Sequence, residues 1–389
     1  MTEELTSSTH PPLPPTTEDD RFASLRLLRS RRVGISTYYR LLREHGSAQS
    51  ALAALPHVAR SAGVSDYTIC PTGVIDAEMR NGDRAGAQLI FRGTQHYPLM
   101  LNDLPDAPPF LWCLGDVSLL NRPAIAMVGA RNASSLGTRM ARKLATDLSA
   151  EGFAIVSGLA RGIDAIAHSA ALESGTIAVQ AGGVDVIYPL ENTEIAQKIE
   201  KSGLRISEQP MGLKPQARHF PIRNRIISGL SRAVVVVEAA ARSGSLITAR
   251  NALDQGRDVF AVPGHPFDAR AAGCNMLLRD GATLIRGAVD VTEAVGPARD
   301  VENTVPDQPD LQFDAPSSQS PPKKPRRSLR ETADLHQQIL NRLGPSPVAE
   351  DQLIRDLNSS ADQLSAILLE LELDGSLHRQ PGGLLSLAS

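Results

Sequence analysis

From Ala124 onward, the sequence alternates short, uninterrupted apolar runs with segments of helical periodicity. The run AIAMVGA at 124–130 predicts a first strand, and similar runs follow as FAIVSG, TIAVQAGG, RISE, AVVVVEAA, DVFAVPG and ATLI. The helix after the first strand has one apolar face, formed by Met140, Ala141, Leu144, Ala145 and Leu148. Runs of Val, Ile and Ala without polar alternation suit parallel strands covered on both faces. The pattern therefore predicts an α/β fold with a doubly wound parallel sheet.

The chain of 389 residues is too long for one ordinary core, so we divide it by composition. Residues 1–20 are rich in proline and poor in apolar side chains, which predicts a disordered tail. The other predicted segments are a helical domain at 21–90 of the SAM-like or helix-hairpin-helix-like kind, a Rossmann-like domain at 91–296, a flexible linker at 297–330 and a winged-helix domain at 331–389.

The helical domain begins with two short amphipathic segments, RFASLRLLRS and STYYRLLREHG. The turn RVGIS at 32–36 between them is similar to a helix-hairpin-helix connection, in which a glycine-bearing turn offers backbone N–H groups to a phosphate. Such helix pairs are also common as plain packing units. The sequence leaves both interpretations open.

The carboxyl-terminal part combines a basic cluster with an acidic domain. Lys323, Lys324, Arg326, Arg327 and Arg330 close the linker, either as solvated charges or as phosphate contacts. Three helical segments and a hairpin at SLHRQPGGLLSL then give a winged-helix pattern. Its third helical segment has acidic side chains, Asp362, Glu370, Glu372 and Asp374, and no basic one. We therefore expect this domain to contact a protein rather than DNA.

The net charge of −3 conceals a strong division along the chain. Residues 121–290 carry 20 basic and 15 acidic side chains, a net charge of +5, whereas residues 331–389 carry a net charge of −6. The two regions should therefore attract different partners. Three widely spaced cysteines, Cys70, Cys113 and Cys274, suit a reducing cytoplasm and form no metal-ligand pattern. No signal peptide or membrane span is expected from the sequence.

Four turns at the predicted carboxyl ends of the strands combine small residues with arginine or hydroxyl side chains. They are GAR at 129–131, SGLARGID at 157–164, FPIRNR at 220–225 and SGS at 243–245. Ligands of open α/β sheets bind at this edge, where helix N-termini present unpaired N–H groups. Several guanidinium groups along one edge are unfavourable unless an anion binds there. The turns together predict a phosphate or nucleic-acid site.

Other sites that accompany a Rossmann-like sheet lack their residues here. Gly129 is not followed by the further glycines of GxGxxG, and neither GxxxxGK[ST] nor GxSxG occurs. His168, in GIDAIAH, is expected to be a packing residue of a helix rather than a catalyst. Dinucleotide, P-loop and α/β-hydrolase chemistry are therefore poorly supported.

Six segments together resemble the DNA processing protein A family, also called DprA or Smf. They are VGARNASSLG, SGLARGIDAIAHSAAL, YPLEN, HFPIRNRIISGLS, SGSLITARNAL and VPGHP, which occur in the family's order. The resemblance covers about residues 95–290 and is weaker for the flanking domains. It implies a non-catalytic protein without a cofactor that binds single-stranded DNA in natural transformation, shields it and loads RecA recombinase onto DNA coated with single-strand binding protein. It also implies a homodimer formed through the Rossmann-like domain.

The resemblance also implies a set of DNA-binding residues, one motif at a time. They are Arg131, Ser157, Gly158, Arg161, Gly162, Arg218, Phe220, Arg223, Asn224, Arg225, Ser243, Gly244 and Ser245. Arg218 is a departure, because the family often has a lysine a few residues before the phenylalanine. Phosphates are expected along the arginines and helix N-termini, with a base against Phe220.

Two alternatives remain at this stage. The same Rossmann-like subtype is similar to nucleotide-hydrolysing enzymes of the lysine decarboxylase-like group, whose PGGxGTxxE loop has its nearest counterpart in VPGHPF at 262–267, without the glutamate. A third interpretation makes the chain an adaptor that acts mainly through its acidic carboxyl-terminal domain.

Overall fold

The structure is a computed structural model that describes residues 14–15, 17–298, 348–349, 368, 377–380 and 384–387. The chain divides into two compact units, Met1–Asp307 and Gln308–Ser389. Residues 299–330 of the predicted linker, which include its basic cluster, and most of the predicted tail lie outside the described residues.

The amino-terminal part of the first unit contains four helices: α1 (Glu18–Arg29), α2 (Ile35–His45), α3 (Ala48–Ser61) and α4 (Thr72–Ala85). A capping box of Thr17 and Asp20 starts α1, so three residues that we assigned to the disordered tail are helical. Leu27, Leu41 and Leu52 are buried together where the first three helices meet. The short apolar faces of these helices thus form one small core.

Nine strands form the central sheet of this unit. They are β1 (Gln88–Phe91), β2 (Phe110–Gly115), β3 (Ala124–Val128), β4 (Ala154–Ser157), β5 (Thr176–Val179), β6 (Leu204–Ser207), β7 (Ala233–Val236), β8 (Asp258–Ala261) and β9 (Thr283–Leu284). Their order in the sheet is β1-β2-β6-β5-β4-β3-β7-β8-β9. All strands except β1 and β2 are parallel to one another. The doubly wound sheet is therefore confirmed.

Helices cover both faces of the sheet. They are α5 (Leu99–Asn102), α6 (Ser135–Ala150), α7 (Ile163–Ala170), α8 (Thr193–Ser202), α9 (His219–Gly229), α10 (Ser245–Asp254), α11 (Ala272–Arg279) and α12 (Ala288–Val295). Alternate residues of β3 show the two layers, since Ile125 packs in the core with α6, α7 and α12, whereas Ala126 packs with α9, α10 and α11. The predicted apolar face of α6 is buried as expected.

The strands β1 and β2 were not predicted as part of the sheet. They form an antiparallel pair, and β2 continues the sheet by pairing antiparallel with β6. Residues 110–114 are all buried, and FLWCLG is an uninterrupted apolar run of the same kind as those that we identified as strands. The boundary that we predicted between residues 90 and 91 falls inside β1.

The second unit contains three described strands: β10 (Val348–Ala349), β11 (Leu377–Gln380) and β12 (Leu384–Leu387). They form an antiparallel sheet in the order β10-β12-β11. Leu377 pairs with Leu387 and Gln380 with Leu384, which confirms the predicted hairpin. The predicted helices of this domain lie outside the described residues, except for the buried, helical Leu368. None of the described helices is long and apolar enough to cross a bilayer.

Candidate nucleic-acid interface

The largest described pocket opens at the carboxyl ends of β3 and β7, where the strand order of the sheet reverses. It encloses about 920 Å³ and continues into a second pocket of about 480 Å³. Both are lined by Arg131, Ala160, Tyr188, Phe220 and Arg223. Crevices at such reversal points are the usual ligand sites of open α/β sheets. The two pockets therefore open at the edge of the sheet where we predicted the anion site.

Arg223 forms the floor between the two pockets. Its side chain is buried, and its Nη1 atom donates to the carbonyl of Gly158 at 2.6 Å and to that of Val179. Burial lowers the pKa of Arg223 to about 10, so the guanidinium is still charged at neutral pH. A Cβ at position 158 would lie 2.4 Å from this Nη1 atom, which explains the glycine.

The SGLARGID loop is held rigidly beside this arginine. The Asp164 carboxylate accepts hydrogen bonds from the N–H groups of Gly158 and Ala160 at 3.2 and 3.3 Å. Asn192 donates to the carbonyls of Leu159 and Ala160 at 2.8 and 3.0 Å. Burial raises the pKa of Asp164, and the charge of Arg223 opposes that shift. The YPLEN segment thus supports the loop through its asparagine.

Two aromatic rings and one guanidinium form the wall between the pockets. The rings of Phe220 and Tyr188 lie 5.8 Å apart, and the guanidinium of Arg131 lies 5.6 Å from the centre of the Phe220 ring. Tyr188 is half exposed. No ion pair joins Arg131 to a carboxylate within the described part of the chain. This wall offers a stacking surface together with an unneutralised cation.

The N-termini of α6 and α10 differ in their electrostatics. Glu238 accepts hydrogen bonds from the N–H and the hydroxyl of Ser134, so a carboxylate already occupies the start of α6. The first turn of α10 has no acidic side chain, and its Ser243 and Ser245 hydroxyls lie 2.7 Å apart at the pocket. A helix N-terminus favours an anion. The start of α10, unlike that of α6, therefore has no carboxylate against it.

Most of the residues that we predicted come together here. The two pockets are lined by Arg131, Gly158, Arg161, Phe220, Arg223, Asn224, Ser243, Gly244 and Ser245. Arg161 lies 3.6 Å from the Glu191 carboxylate, and both side chains are more than half exposed. The Glu191 carboxylate thus partly neutralises Arg161, one of the residues that we predicted to bind a phosphate.

Four predicted residues do not line the pockets. Ser157 is fully buried and donates its hydroxyl hydrogen to the carbonyl of Met127 at 2.6 Å, so it cannot reach a ligand. Gly162 packs against the turn after β3, since a Cβ there would lie 2.2 Å from the carbonyl oxygen of Ala130. Arg218 is exposed beside His219 rather than in a pocket.

Arg225 is the fourth, and the structure contradicts our placement of it at the site. Its side chain is 10% exposed and pairs with Glu208 at 2.6 Å and with Asp106 at 3.0 Å. Arg223 and Arg225 are two positions apart on α9, and because a helix turns about 100° per residue their side chains leave it on nearly opposite sides. Arg223 and Arg225 therefore serve different sides of the helix.

Comparison with known proteins assigns the family. The model for DNA recombination-mediator protein A matches residues 88–296, which is more than half of the chain. The chain belongs to the DNA recombination-mediator protein A family. Two further models match residues 18–81, as a DprA-like N-terminal HHH domain, and residues 322–383, as a DprA winged helix domain. The three predicted kinds of domain are thus shown.

Named relatives of this recombination-mediator family support the assignment. DNA processing protein DprA of Bacillus subtilis (strain 168) is 44% identical over 224 residues, 57% of this chain and 75% of the relative. The X-ray structure of DprA from Streptococcus pneumoniae has a TM-score of 0.54 and 34% identity, covering 68% of this chain and 98% of that one. DNA processing protein A from Helicobacter pylori, described for its single-stranded DNA binding mode, has a TM-score of 0.50 and 31% identity, covering 54% and 97%.

Sequence reasoning missed several lining residues of this family member: Asn132, Tyr188, Arg242 and Arg270. Tyr188 lies in YPLEN, a segment that we used only for the family resemblance. Arg270 lies in the loop that follows the carboxyl end of β8, and its place in that loop was a usable signal. His168 is buried, with its Nδ1 atom 2.7 Å from the Thr176 hydroxyl, which agrees with the predicted packing role.

Proposed function

We propose that this protein binds single-stranded DNA in the two joined pockets, with phosphates along Arg131, Arg161 and the start of α10. The observation that carries the proposal is the wall in which Arg131 lies over Phe220 and Phe220 lies against Tyr188. Aromatic rings beside cations suit single-stranded DNA, because its unpaired bases stack on the rings while its phosphates lie near the cations. Binding should tolerate any sequence, because contacts to phosphates carry little base information.

Fluorescence anisotropy with single- and double-stranded oligonucleotides at two salt concentrations tests this proposal. We expect preference for the single strand and a steep loss of affinity with salt, because each neutralised phosphate releases counterions. Arg131→Glu should weaken binding of all sequences about equally. Lys201→Glu is the matched control, since Lys201 is exposed at the end of α8 away from the pockets. Equal affinities of wild type and Arg131→Glu would exclude the assigned site.

We further propose that the role is binding rather than catalysis, without a cofactor. Asp164 accepts hydrogen bonds from backbone N–H groups and Glu238 accepts one from Ser134, so both carboxylates already have structural partners. Incubation with nucleoside monophosphates tests this part of the proposal. Release of free base would favour the nucleotide-hydrolysing alternative.

The proposed partners are RecA recombinase, single-strand binding protein and a second copy of this chain, in the cytoplasm during natural transformation. The family description as a recombination mediator supports the first of these. The edge strand β9 presents the half-exposed apolar side chain of Leu284, which contact with a second copy of this chain would bury. Light scattering of the purified protein distinguishes a dimer from a monomer. Strand exchange by RecA on DNA coated with single-strand binding protein tests the loading role.

A further inference from the structure

The loop after β8 carries the most exposed large apolar side chain among those that the structure describes. Phe267 is 94% exposed. Its ring lies 5.5 Å from the His265 ring at an interplanar angle of 40°. The other exposed side chains of residues 263–270 are polar, small or proline. This ring pair is therefore an isolated aromatic surface rather than part of a contiguous apolar patch.

The loop is fixed at both ends and adjoins the larger pocket. Asn275 exchanges two hydrogen bonds with the backbone of Gly264, at 3.2 and 3.0 Å. The N–H of Gly273 donates to the carbonyl of Ala239 at 2.7 Å, which ties the loop to the turn that leads into α10. Arg270 lines the pocket, and three residues of chain span at most about 11 Å, so Phe267 lies close to the pocket's rim.

Positive charge connects the pocket with this ring pair. Arg242 and Arg270 both line the pocket and are both exposed. Asp268 accepts from the Nε and Nη2 atoms of Arg270 at 3.2 and 3.3 Å, which fixes the orientation of that guanidinium and neutralises part of its charge. A polyanion that leaves the pocket on this side would meet two cations before it reaches the rings.

We propose that the His265–Phe267 ring pair is a second base-stacking site, which a single strand reaches across Arg242 and Arg270 after leaving the larger pocket. The inference rests on the proposed function, because it extends the path of the same strand. Rings interleaved with cations are the composition of single-strand grooves. A docking surface for a folded protein would instead need a contiguous apolar area around Phe267.

Anisotropy titrations with oligothymidylates of about 4 to about 30 nucleotides test the second site, since single-strand sites span about 4 to 16 nucleotides per fold. Phe267→Ala should weaken binding of the long strands about fivefold or more and leave that of the shortest strands unchanged. Phe267→Trp should restore the affinity for long strands. Val289→Ala, at another exposed apolar side chain on α12, is the matched control and should change nothing.

Salt separates the stacking contribution from that of charge. Phe267→Ala should leave the salt dependence of long-strand binding unchanged, because stacking releases no counterions. Arg270→Ala should reduce the slope of log affinity against log salt by about 0.7, the value for one phosphate of a single strand. An unchanged slope in Arg270→Ala would remove that arginine from the path.

The outcomes distinguish this inference from the proposed function. Wild-type protein that binds no single strand of any length defeats both. Wild-type binding that is lost in Arg131→Glu but unchanged in Phe267→Ala at every length overturns only the second stacking site. An equal loss for short and long strands in Phe267→Ala would also overturn it, because that ring would then act within the first pocket or on the fold.

Discussion

The arginines at the pockets differ in how far other groups of the protein already engage their guanidinium groups. Arg131 is exposed over an aromatic ring, whereas Arg223 is buried and already donates to two carbonyl groups. Arg161 forms an exposed ion pair with Glu191. Because a ligand gains most from donors that are not yet engaged, Arg131 should contribute more to affinity than its neighbours.

Removing the carboxylate beside Arg161 should strengthen DNA binding. We expect Glu191→Gln to raise the affinity for single strands about twofold to fivefold, since an exposed ion pair is worth at most about 1 kcal/mol. Glu194→Gln is the control, because Glu194 pairs with Lys198 on α8 instead. Anisotropy at low salt measures both variants, and a weaker Glu191→Gln complex would show that this carboxylate helps to hold the strand.

His168 should make the stability of the first unit depend on pH. Burial lowers its pKa from 6.5 to about 3, so below pH 6.5 the unfolded chain takes up a proton that the folded chain does not. The stability due to the neutral imidazole is therefore present above pH 6.5 and is lost as pH falls toward 3. Between pH 7 and 5 the loss should approach about 2 kcal/mol. Urea unfolding of wild type and His168→Gln at both pH values measures it, and parallel losses would contradict the assignment.

At the scale of elements, α9 serves two purposes with one motif. Phe220 and Arg223 face the pockets, and Arg225 pairs with Glu208 and Asp106 on another side. Burial raises the pKa of Glu208, and its arginine partner opposes that shift. The FPIRNR segment therefore combines ligand contacts with an internal ion pair that fixes the helix.

Arg225→Met should destabilise the fold without weakening the DNA contact. An unpaired buried Glu208 would remain, which costs about 3–5 kcal/mol. Arg225→Met/Glu208→Met should recover most of that loss, because well-packed apolar side chains can replace a buried pair. Denaturant unfolding measures stability, and anisotropy below the unfolding transition measures affinity. A large loss of affinity in the folded single variant would return Arg225 to the site.

The elements that sequence reasoning found and missed differ in their surroundings. Strands inside a βα repeat were found because their apolar runs alternate with helices of clear periodicity. In contrast, β1 and β2 lie outside that repeat, and β2 pairs with β6 from a distant part of the chain. A strand outside the repeat is not marked by the regular alternation of apolar runs and periodic helices that identified the others.

On the scale of the whole molecule, every described residue that lines the two pockets belongs to the first unit. Both pockets are lined by residues between 128 and 270. Deleting residues 299–389, which include the acidic carboxyl-terminal region, should therefore change the affinity for single strands by less than about threefold, since the contacts that set affinity and salt dependence remain. Anisotropy with the full chain as control measures this, and loss of binding would show that the second unit contributes to the site.

The sequence by itself determined the parallel sheet, the edge of the sheet that carries the two pockets and the family, because repeated apolar runs and whole motifs are local features of the chain. Tertiary structure decided which motif residues reach the pockets. Ser157 and Arg225 belong to the same motifs as Arg161 and Arg223, yet the first is buried against Met127 and the second is held by two carboxylates. The direction and the burial of a side chain depend on the residues that pack around it, and those residues are distant in sequence.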